Sequence, residues 1–430
     1  MDSDYYLAAK PRFNSDPHTT VGLSCLPFVV FPIIAPNWPR SNRKMLWCWR
    51  LLQRNRCVSL SKPRRLYDCN TLNSRKVLER LGKRWKHEFS NQAMNKIIRW
   101  GIIGCGDVTE VKSGPGFQKA DGSALVAVMR RDAAKAENYA RRHNIPRWYA
   151  EADALIADRE VDAIYIATPP SSHKEYVSKV ARAGKPILVE KPMALSATEC
   201  ETMITACREA GVPLRVAYYR RKLPRFEKMR ELIQSGAIGK PRAIAVRQFQ
   251  RPDAPLPQPW KIDPATNGGG LFVDMQTHTL DWLHHVFGAV REVCGVAVNA
   301  AQIHGAEDTV SYSLLFENGV VASGIFAYTV ARAEESVTIY GSEGEVSMGF
   351  FVPSGDLRLI HNGVEKIIQL PDPPHVHQPL IQTFVNELKG GSVLESTGET
   401  ALETARVIDN IMCKYHRSIG NPPPICSTRD

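Results

Sequence analysis

Lys191 has the side chain with the clearest capacity for catalysis. It lies in Glu190-Lys191-Pro192, directly after the apolar run Ile187–Val189, and the proline favours an extended conformation for the lysine before it. If this run is a strand of an open parallel sheet, Lys191 stands at the carboxyl end of the strand, where such sheets bind ligands. An ammonium group there could stabilise negative charge on a reacting oxygen or relay a proton. The alternative is an ordinary surface lysine at the end of a strand.

Asp274 and His278 form a second candidate group. They are four residues apart in an amphipathic stretch, residues 273–287, and this spacing places both side chains on one face of a helix. An imidazole is a suitable base for a hydroxyl group, and a carboxylate beside it can orient the ring or bind a second hydroxyl. A solvent-facing His–Asp pair is the alternative. We interpret His284 and His285, further along, as packing residues.

A glycine-rich segment indicates a phosphate-binding turn. Gly104-Cys105-Gly106-Asp107-Val108-Thr109 follows the apolar run 97–103. The first glycine permits a tight turn, and the second lets backbone amides approach a pyrophosphate. We therefore assign Gly104, Gly106, Asp107 and Val108 to a dinucleotide site. Thr109 replaces the third small residue of the fingerprint, so the assignment depends on its place in a β-α-β unit.

The end of the second apolar run bears on the choice of dinucleotide. A site selective for NAD usually has a carboxylate there, which binds the ribose 2′-hydroxyl. This chain has Met129 at that position, followed by Arg130 and Arg131, and guanidinium groups suit a 2′-phosphate. The sequence favours NADP over NAD. The alternative is that both arginines are solvated residues at the start of a helix.

The elements that position these residues alternate between strand and helix in the first half of the chain. This alternation predicts a mostly parallel sheet covered on both faces. Ser196 and Glu199 predict a capping box, and Gly184 and Gly211 predict helix ends. Gly114-Pro115-Gly116 predicts a short or kinked helix. The strands are predicted at residues 97–103, 125–129, 161–167, 187–189 and 213–217, and the helices at 133–142, 171–183 and 196–211.

After Gly239 the pattern changes to strands separated by short turns. Asn318-Gly319 and Asn362-Gly363 are hairpin signals, so an antiparallel sheet is expected. Two helices are predicted at about 376–390 and 398–416. The predicted strands are residues 243–249, 292–298, 309–316, 320–326, 336–340 and 357–360.

Charge and composition separate the first 93 residues from the rest. They contain 17 Lys and Arg against 6 Asp and Glu, whereas the remaining chain has 38 of each sign. The net charge of +11 therefore belongs to this leader and gives no reason to expect a nucleic-acid or membrane partner for the remaining chain. We hypothesise that Met94 is the true start and that the leader is an upstream extension of the reading frame. A transit peptide or a nucleic-acid-binding arm is the alternative.

The cysteines and the apolar segments exclude several classes of protein. The ten cysteines are scattered, without a CxxC pair or a His/Cys spacing typical of zinc, so no metal site is expected and a reducing, cytoplasmic location is favoured. The apolar leader stretch from Leu23 to Pro36 is too short to span a bilayer.

The order and spacing of the motifs resemble those of the Gfo/Idh/MocA family of oxidoreductases, named for glucose–fructose oxidoreductase and inositol dehydrogenase. The resemblance extends over most of residues 97–414. The matching motifs are Gly104–Gly106, Ala167–Pro170 with His173, Glu190–Pro192, Tyr219–Arg221, Gly236–Gly239, Gly268–Gly270 and Asp274–His278.

The resemblance implies an α/β Rossmann domain followed by an α+β domain with an open, mostly antiparallel sheet, which often forms a dimer interface. We place the Rossmann domain at residues 94–218, the second domain at 219–418 and a loose tail at 419–430. A homodimer or homotetramer through the C-terminal sheet is expected.

The resemblance also implies roles for individual residues. Lys191 would lie beside the nicotinamide and contact the reacting oxygen. His278 would be the acid or base, and Asp274 its partner in substrate binding. The family usually has Asn-x-Arg-Arg where this chain has Tyr218-Tyr219-Arg220-Arg221, so the role of Tyr218 stays open.

Several further residues are assigned to the site on the same basis. Thr168 and Pro169 would pack against the nicotinamide, Glu190 would support the loop and the cofactor, and His173 would lie near the cofactor or be structural. Arg220 would bind substrate hydroxyls or a carboxylate, or join the domains. Trp260, in Trp260-Lys261, would line the substrate side, and core packing is an equal alternative.

Together these residues predict an NAD(P)-dependent oxidoreductase. It would move hydride between the nicotinamide and a carbinol or carbonyl carbon of a sugar, polyol or cyclic diol. A non-catalytic NAD(P)-binding sensor or regulatory subunit of the same fold is the alternative, because a Rossmann domain does not guarantee turnover. A basic nucleic-acid-binding protein has support only from the leader.

Overall fold

A computed structural model describes residues 96–251, 258–352 and 356–420, together with two short strands of the leader. Those strands, Arg56–Val58 and Leu66–Asp68, pair antiparallel. The rest of the leader and the tail after residue 420 lie outside the described residues, and so do the predictions that concern them. Within these ranges, no helix combines the length and apolar character that crossing a lipid bilayer requires.

The first domain is built on a parallel sheet of six described strands. Their order is β3-β2-β1-β4-β5-β6. The order reverses between β1 and β4, and a reversal of this kind leaves a crevice outside the carboxyl ends of the strands. The glycine turn follows β1, and Thr168 follows β4, so both border that crevice. The strands are β1 Ile98–Ile103, β2 Ser123–Met129, β3 Arg147–Tyr149, β4 Ala163–Ile166, β5 Ile187–Val189 and β6 Leu214–Val216.

Helices cover both faces of this sheet, and local sequence signals set several of their ends. The Ser196 hydroxyl accepts a hydrogen bond from the Glu199 amide at 3.3 Å, and Gly211 ends the same helix with φ +67°. The Glu199 carboxylate accepts the Leu195 amide rather than that of Ser196, so the capping box is only half formed. The helices are α1 Asp107–Val111, α2 Gly114–Lys119, α3 Ala133–Arg142, α4 Ala152–Ala157, α5 His173–Arg182 and α6 Ala197–Ala210.

The second domain contains an eight-stranded sheet in the order β8-β9-β10-β7-β11-β12-β13-β14. Every pairing is antiparallel except that between β10 and β7. The hairpin signals are confirmed, because Gly319 has φ +84° and Asn362 and Gly363 have φ 49° and 79°. The strands are β7 Pro241–Phe249, β8 Val290–Val298, β9 Thr309–Phe316, β10 Val321–Ala327, β11 Glu334–Gly341, β12 Gly344–Met348, β13 Leu357–His361 and β14 Val364–Ile368.

The helices of the second half connect the two domains. The Phe384 ring lies 5.7 Å from the Trp100 ring of β1, and the Val216 amide of β6 donates to the Ser396 carbonyl at 3.0 Å. The chain after residue 376 therefore packs against the first domain, although the sequence analysis placed it in the second domain, which begins at residue 219. The helices are α7 Pro224–Gln234, α8 Pro264–Asn267, α9 Thr277–Phe287, α10 Gln378–Leu388 and α11 Gly398–Ser418, and a π-helical turn, Phe272–Gln276, precedes α9.

The cysteines of the described residues are of two kinds. Cys105, Cys200, Cys207 and Cys294 are free thiols. Cys413 is disulfide-bonded, which the scattered spacing of the cysteines does not indicate.

A buried carboxyl group, that of Asp409, connects α11 to α6. We expect it to make the free energy of unfolding depend on pH. Asp409 accepts the Ala197 amide at 2.9 Å, and burial raises its pKa from 3.8 to about 7. The folded protein holds this proton more tightly than the unfolded chain. Stability from protonated Asp409 is therefore present below pH 3.8 and is lost as the pH rises to about 7, by up to roughly 4 kcal/mol.

Asp409→Asn should remove this loss. The variant should match the wild type in urea denaturation near pH 4 and exceed it at pH 8. Glu399→Gln, at an exposed position of α11, is the control and should behave like the wild type at both values. Equal stabilities of the wild type and Asp409→Asn at pH 8 would contradict this prediction. They would show that ionisation of Asp409 does not lower the unfolding free energy.

Candidate active site

The glycine turn after β1 has the conformation that its sequence predicts. Gly104 has φ +92°, and the amides of Gly104 and Cys105 donate to the Met129 carbonyl at 2.9 and 3.1 Å. A Cβ at Gly104 would lie 2.7 Å from Thr168 Cγ2. Only glycine therefore fits between this turn and the loop that follows β4.

Gly106 leaves room for a ligand at the same turn. A Cβ placed there would have only the Gly104 carbonyl oxygen within 4 Å, at 3.9 Å. The first amides of α1, those of Asp107 and Val108, have no acceptor within the helix. The turn thus offers open space and free donors, which fit the pyrophosphate of a dinucleotide. The Asp107 carboxylate accepts a hydrogen bond from the Gln258 side chain.

Arg130 reaches back over this turn. Its Nη1 donates to the Cys105 carbonyl at 3.2 Å, and its side chain is half-buried, whereas Arg131 is exposed. Asp132 caps α3 by accepting the Lys135 amide at 3.1 Å. Only Arg130 of the two arginines is therefore held beside the glycine turn.

Lys191 is half-buried and contacts the second domain. The Lys191–Pro192 peptide is cis. The Lys191 ammonium donates to the Asp274 backbone carbonyl at 2.8 Å and to Asp274 Oδ1 at 2.9 Å. The structure thus brings together Lys191 and Asp274, which are 83 residues apart in the chain.

Asp274 binds a second ammonium group, that of Lys261. Lys261 Nζ lies 3.1 Å from Asp274 Oδ2. Burial acts to raise the pKa of Asp274, but the two lysines outweigh it and lower the pKa to about 2. Asp274 is therefore ionised, and its partners are Lys191 and Lys261 rather than the expected His278.

Asp274 lies in a π-helical turn that forms the start of the helical stretch predicted at residues 273–287. A Cβ on Gly269 would lie 2.4 Å from Val273 Cγ2, and one on Gly270 would lie 2.9 Å from the Glu307 carbonyl oxygen. The buried Glu307 carboxylate accepts the Gly270 amide at 2.8 Å. This close packing holds the turn Phe272–Gln276 in a π-helical conformation, and α9 follows it directly with His278 in its first turn.

His278 lies in α9 with its ring buried among aromatic side chains. The rings of Tyr218 and Tyr219 meet it edge-on at centroid distances of 5.9 and 5.1 Å, and that of Phe351 at 6.4 Å. Its Nδ1 is buried and has no protein partner. Burial, followed by the charge of Lys191, lowers the pKa of His278 well below its ordinary value. The ring is therefore neutral, and one of its two nitrogens is a hydrogen-bond acceptor.

Glu190 and His377 form a buried group beside the loop that carries Lys191. Glu190 accepts a hydrogen bond from the Tyr165 hydroxyl, and its Oε1 lies 3.6 Å from His377 Nδ1. The His377 ring stacks on Tyr219 at 4.3 Å. His377 was not a sequence candidate, because it lies just before α10, far along the chain from every motif, and only the return of that helix brings it here.

The loop after β4 is held by His173. This buried ring contacts the Thr168 carbonyl through Nε2 at 2.7 Å and the Met193 carbonyl through Nδ1 at 3.1 Å. His173 thus links the loop that contains Thr168 to the loop that carries Lys191. Such a link is what the structural alternative for His173 predicts. Thr168 and Pro169 are half-buried at the edge of the crevice.

Arg220 contacts the segment that follows β12. Its Nη1 donates to the Phe350 carbonyl at 2.6 Å, and its guanidinium carbon lies 4.5 Å from the centre of the Phe351 ring. The side chain is buried, with 8% of the residue exposed. These contacts tie the segment after β6 to the segment after β12, and they leave the buried Arg220 Nε without a hydrogen-bond partner.

Trp260 is half-buried beside Lys261. Its indole Nε1 donates to Gln258 at 2.5 Å, and Lys261 Nζ lies 5.4 Å from the centre of its ring. The Trp260 ring therefore lies beside the ammonium group of Lys261, which binds Asp274 together with Lys191. Within the described ranges, no three His, Cys, Asp or Glu side chains come together in a way that could hold a metal ion.

Comparison with known proteins decides the family. Residues 98–218 match the family model described as an oxidoreductase family with an NAD-binding Rossmann fold, and residues 226–347 match the GFO/IDH/MocA C-terminal domain. An oxidoreductase from Formosa agariphila is 36% identical over 323 residues, which are 74% of this chain and 98% of that protein. The chain belongs to the Gfo/Idh/MocA oxidoreductase family.

Other members of the family have more specific names. A 1,5-anhydro-D-fructose reductase from Ensifer adhaerens is 31% identical and is matched over 70% of this chain and 91% of its own length. A trans-1,2-dihydrobenzene-1,2-diol dehydrogenase from Mus musculus is 35% identical over 53% of this chain and 67% of that protein. Among solved structures, an aldose-aldose oxidoreductase from Caulobacter crescentus superposes with a TM-score of 0.67 at 25% identity, over 75% of this chain and 98% of that one.

Proposed function

We propose that this protein transfers hydride between NADP(H) and a carbinol or carbonyl carbon of a sugar, polyol or cyclic diol. The observation that carries the proposal is the Lys191 ammonium, which Asp274 holds at the carboxyl end of β5, with His278 four residues after Asp274 in the same helical segment. The sugar reductase and the diol dehydrogenase among its relatives support this class of substrate.

The bound dinucleotide would supply the hydride acceptor or donor. Gly104, Gly106 and the amides of Asp107 and Val108 would bind its pyrophosphate, while Thr168 and Pro169 would pack against its nicotinamide. Glu190 would support the loop that carries Lys191.

Lys191 and His278 would divide the work on the substrate hydroxyl. Lys191 has three N–H groups and uses two of them on Asp274, so one remains to donate to the reacting oxygen. That bond stabilises negative charge on this oxygen. The neutral His278 would accept the hydroxyl proton during oxidation and return it during reduction.

A panel of sugars, polyols and cyclic diols, followed by absorbance of the reduced cofactor at saturating NADP+ or NADPH, tests this function. Turnover of at least one compound, lost in Lys191→Met, is the expected result. Tight binding of the dinucleotide without turnover of any compound would instead favour the non-catalytic sensor.

We also propose that the protein prefers NADP to NAD and that Arg130 recognises the 2′-phosphate. Loss of one charge-assisted hydrogen bond should weaken NADPH binding of Arg130→Ala by about tenfold or more, and NADH binding should not change. Fluorescence titration with each nucleotide measures both affinities.

The exposed Arg131 gives the matched variant for this test. Arg131→Ala should weaken NADPH binding less than Arg130→Ala. If Arg130→Ala retains the ratio of NADPH to NADH affinity of the wild type, Arg130 does not determine the preference.

We further propose a homodimer or homotetramer formed through the sheet of the second domain, in the cytoplasm. Val296, Val321 and Ile325 are 61%, 49% and 42% exposed on that sheet, and an apolar surface of this kind favours burial in an interface. Sedimentation of the protein tests the assembly.

A further inference from the structure

The two lysines that share Asp274 differ in exposure. Lys191 occupies Asp274 Oδ1 and the backbone carbonyl, and Lys261 occupies Oδ2. The side chain of Lys191 is 14% exposed and that of Lys261 is 33% exposed. Lys191 is thus enclosed by its acceptors, whereas Lys261 is open on one side.

Positive charge exceeds negative charge at this point of the site. One carboxylate balances two ammonium groups, and no other carboxylate of the described ranges forms an ion pair with Lys191 or Lys261. The buried Glu190 carboxyl group is bound instead to the Tyr165 hydroxyl and the Lys191 amide. Burial raises the pKa of Glu190 and so favours its uncharged form. A net positive charge remains beside the reacting position, and it favours an anionic ligand group.

Lys261 also has donors left to bind such a group. Its ammonium has three N–H groups, and one of them is used on Asp274 Oδ2. The half-buried Trp260 ring adjoins the ammonium, so an apolar face lies next to the free donors. A cation beside an aromatic face suits a sugar ring that carries an acidic substituent.

We propose that Lys261 binds a carboxylate of the substrate, and that the preferred substrates are sugar acids rather than neutral sugars. This inference rests on the proposed function, since it specifies the substrate of the same site. The carboxylate and the reacting hydroxyl belong to one small molecule, because the two ammonium groups that bind them share a single aspartate. A hydrogen bond between two charged groups is stronger than one to a neutral hydroxyl.

Pairs of substrates that differ only at one carbon provide the test. D-glucuronate is compared with D-glucose, and D-galacturonate with D-galactose, each with NADP+. The wild type should have a kcat/KM about tenfold or more higher for the acid of each pair. Lys261→Met should lose this preference mainly through a higher KM for the acids, and Lys261→Arg should retain most of it.

The control variant and a binding measurement separate the outcomes. Lys119→Met, at an exposed position of α2, should keep the preference of the wild type. Calorimetric titration of D-glucuronate into the NADPH complex should show binding to the wild type that is lost in Lys261→Met.

Three results would overturn the inference. The first is equal or better turnover of the neutral sugars by the wild type, which leaves the proposed function intact. The second is an equal loss of kcat for both members of each pair in Lys261→Met, because Lys261 would then act only by positioning Asp274. The third is absence of glucuronate binding to the NADPH complex. Binding of the acid without turnover of any compound would contradict the proposed function instead.

Discussion

Replacing Lys191 with methionine is expected to lower kcat by about 10³-fold. Methionine has a similar length but no charge and no N–H donor, so negative charge on the reacting oxygen loses its stabilising partner. Loss of one such donor or proton-transfer group typically costs 10²–10⁴-fold in rate. Initial rates with a substrate from the panel, at saturating cofactor, measure the effect.

The affinity for the dinucleotide should change little in the same variant, because the glycine turn and Arg130 lie on other loops. Fluorescence titration with NADPH checks this point. Lys119→Met serves as the control and should keep the kcat of the wild type. A Lys191→Met enzyme with nearly normal kcat and normal cofactor affinity would exclude Lys191 from the chemistry.

The second large effect is expected on stability, from the buried ion pair between Arg221 and Asp281. Arg221 donates to the two carboxylate oxygens of Asp281 at 2.6 and 2.8 Å, and their side chains are 2% and 1% exposed. The pair joins the segment after β6 to α9. Asp281→Asn leaves the guanidinium without its counter-charge and should cost about 3–5 kcal/mol of unfolding free energy. Urea denaturation measures this cost.

Two comparisons show whether burial is the cause. Glu365→Gln breaks an exposed pair with Arg358 and should shift the urea midpoint very little. The double variant Arg221→Met with Asp281→Leu removes both charges and should be more stable than Asp281→Asn. A midpoint for Asp281→Asn as close to the wild type as that of Glu365→Gln would mean that the pair contributes nothing to stability.

Features that depend on neighbouring residues were predictable from the sequence. The strand Ile187–Val189 and the helix Ala133–Arg142 have the predicted bounds, and the glycine at the end of α6 has the predicted left-handed conformation. Apolar periodicity, caps and turn residues act within a few positions of the chain, so they can be recognised without knowledge of the fold. The order of the motifs also identified the family.

The geometry of the site depended on contacts that the local pattern does not contain. The spacing of Asp274 and His278 indicated a shared helix face, but it gave no sign of the π turn at Asp274 or of the two lysines that bind its carboxylate. The parallel pairing of β10 with β7 and the approach of His377 to Glu190 likewise had no local signal.

The sequence by itself determined the elements, the glycine turn, the family and the identity of Lys191 as the central candidate. Tertiary structure alone decided which side chains meet: Lys261 with Asp274, and Arg220 with Phe350. The physical reason is that backbone propensity depends on adjacent residues, whereas hydrogen bonds and ion pairs in a core depend on how distant segments pack.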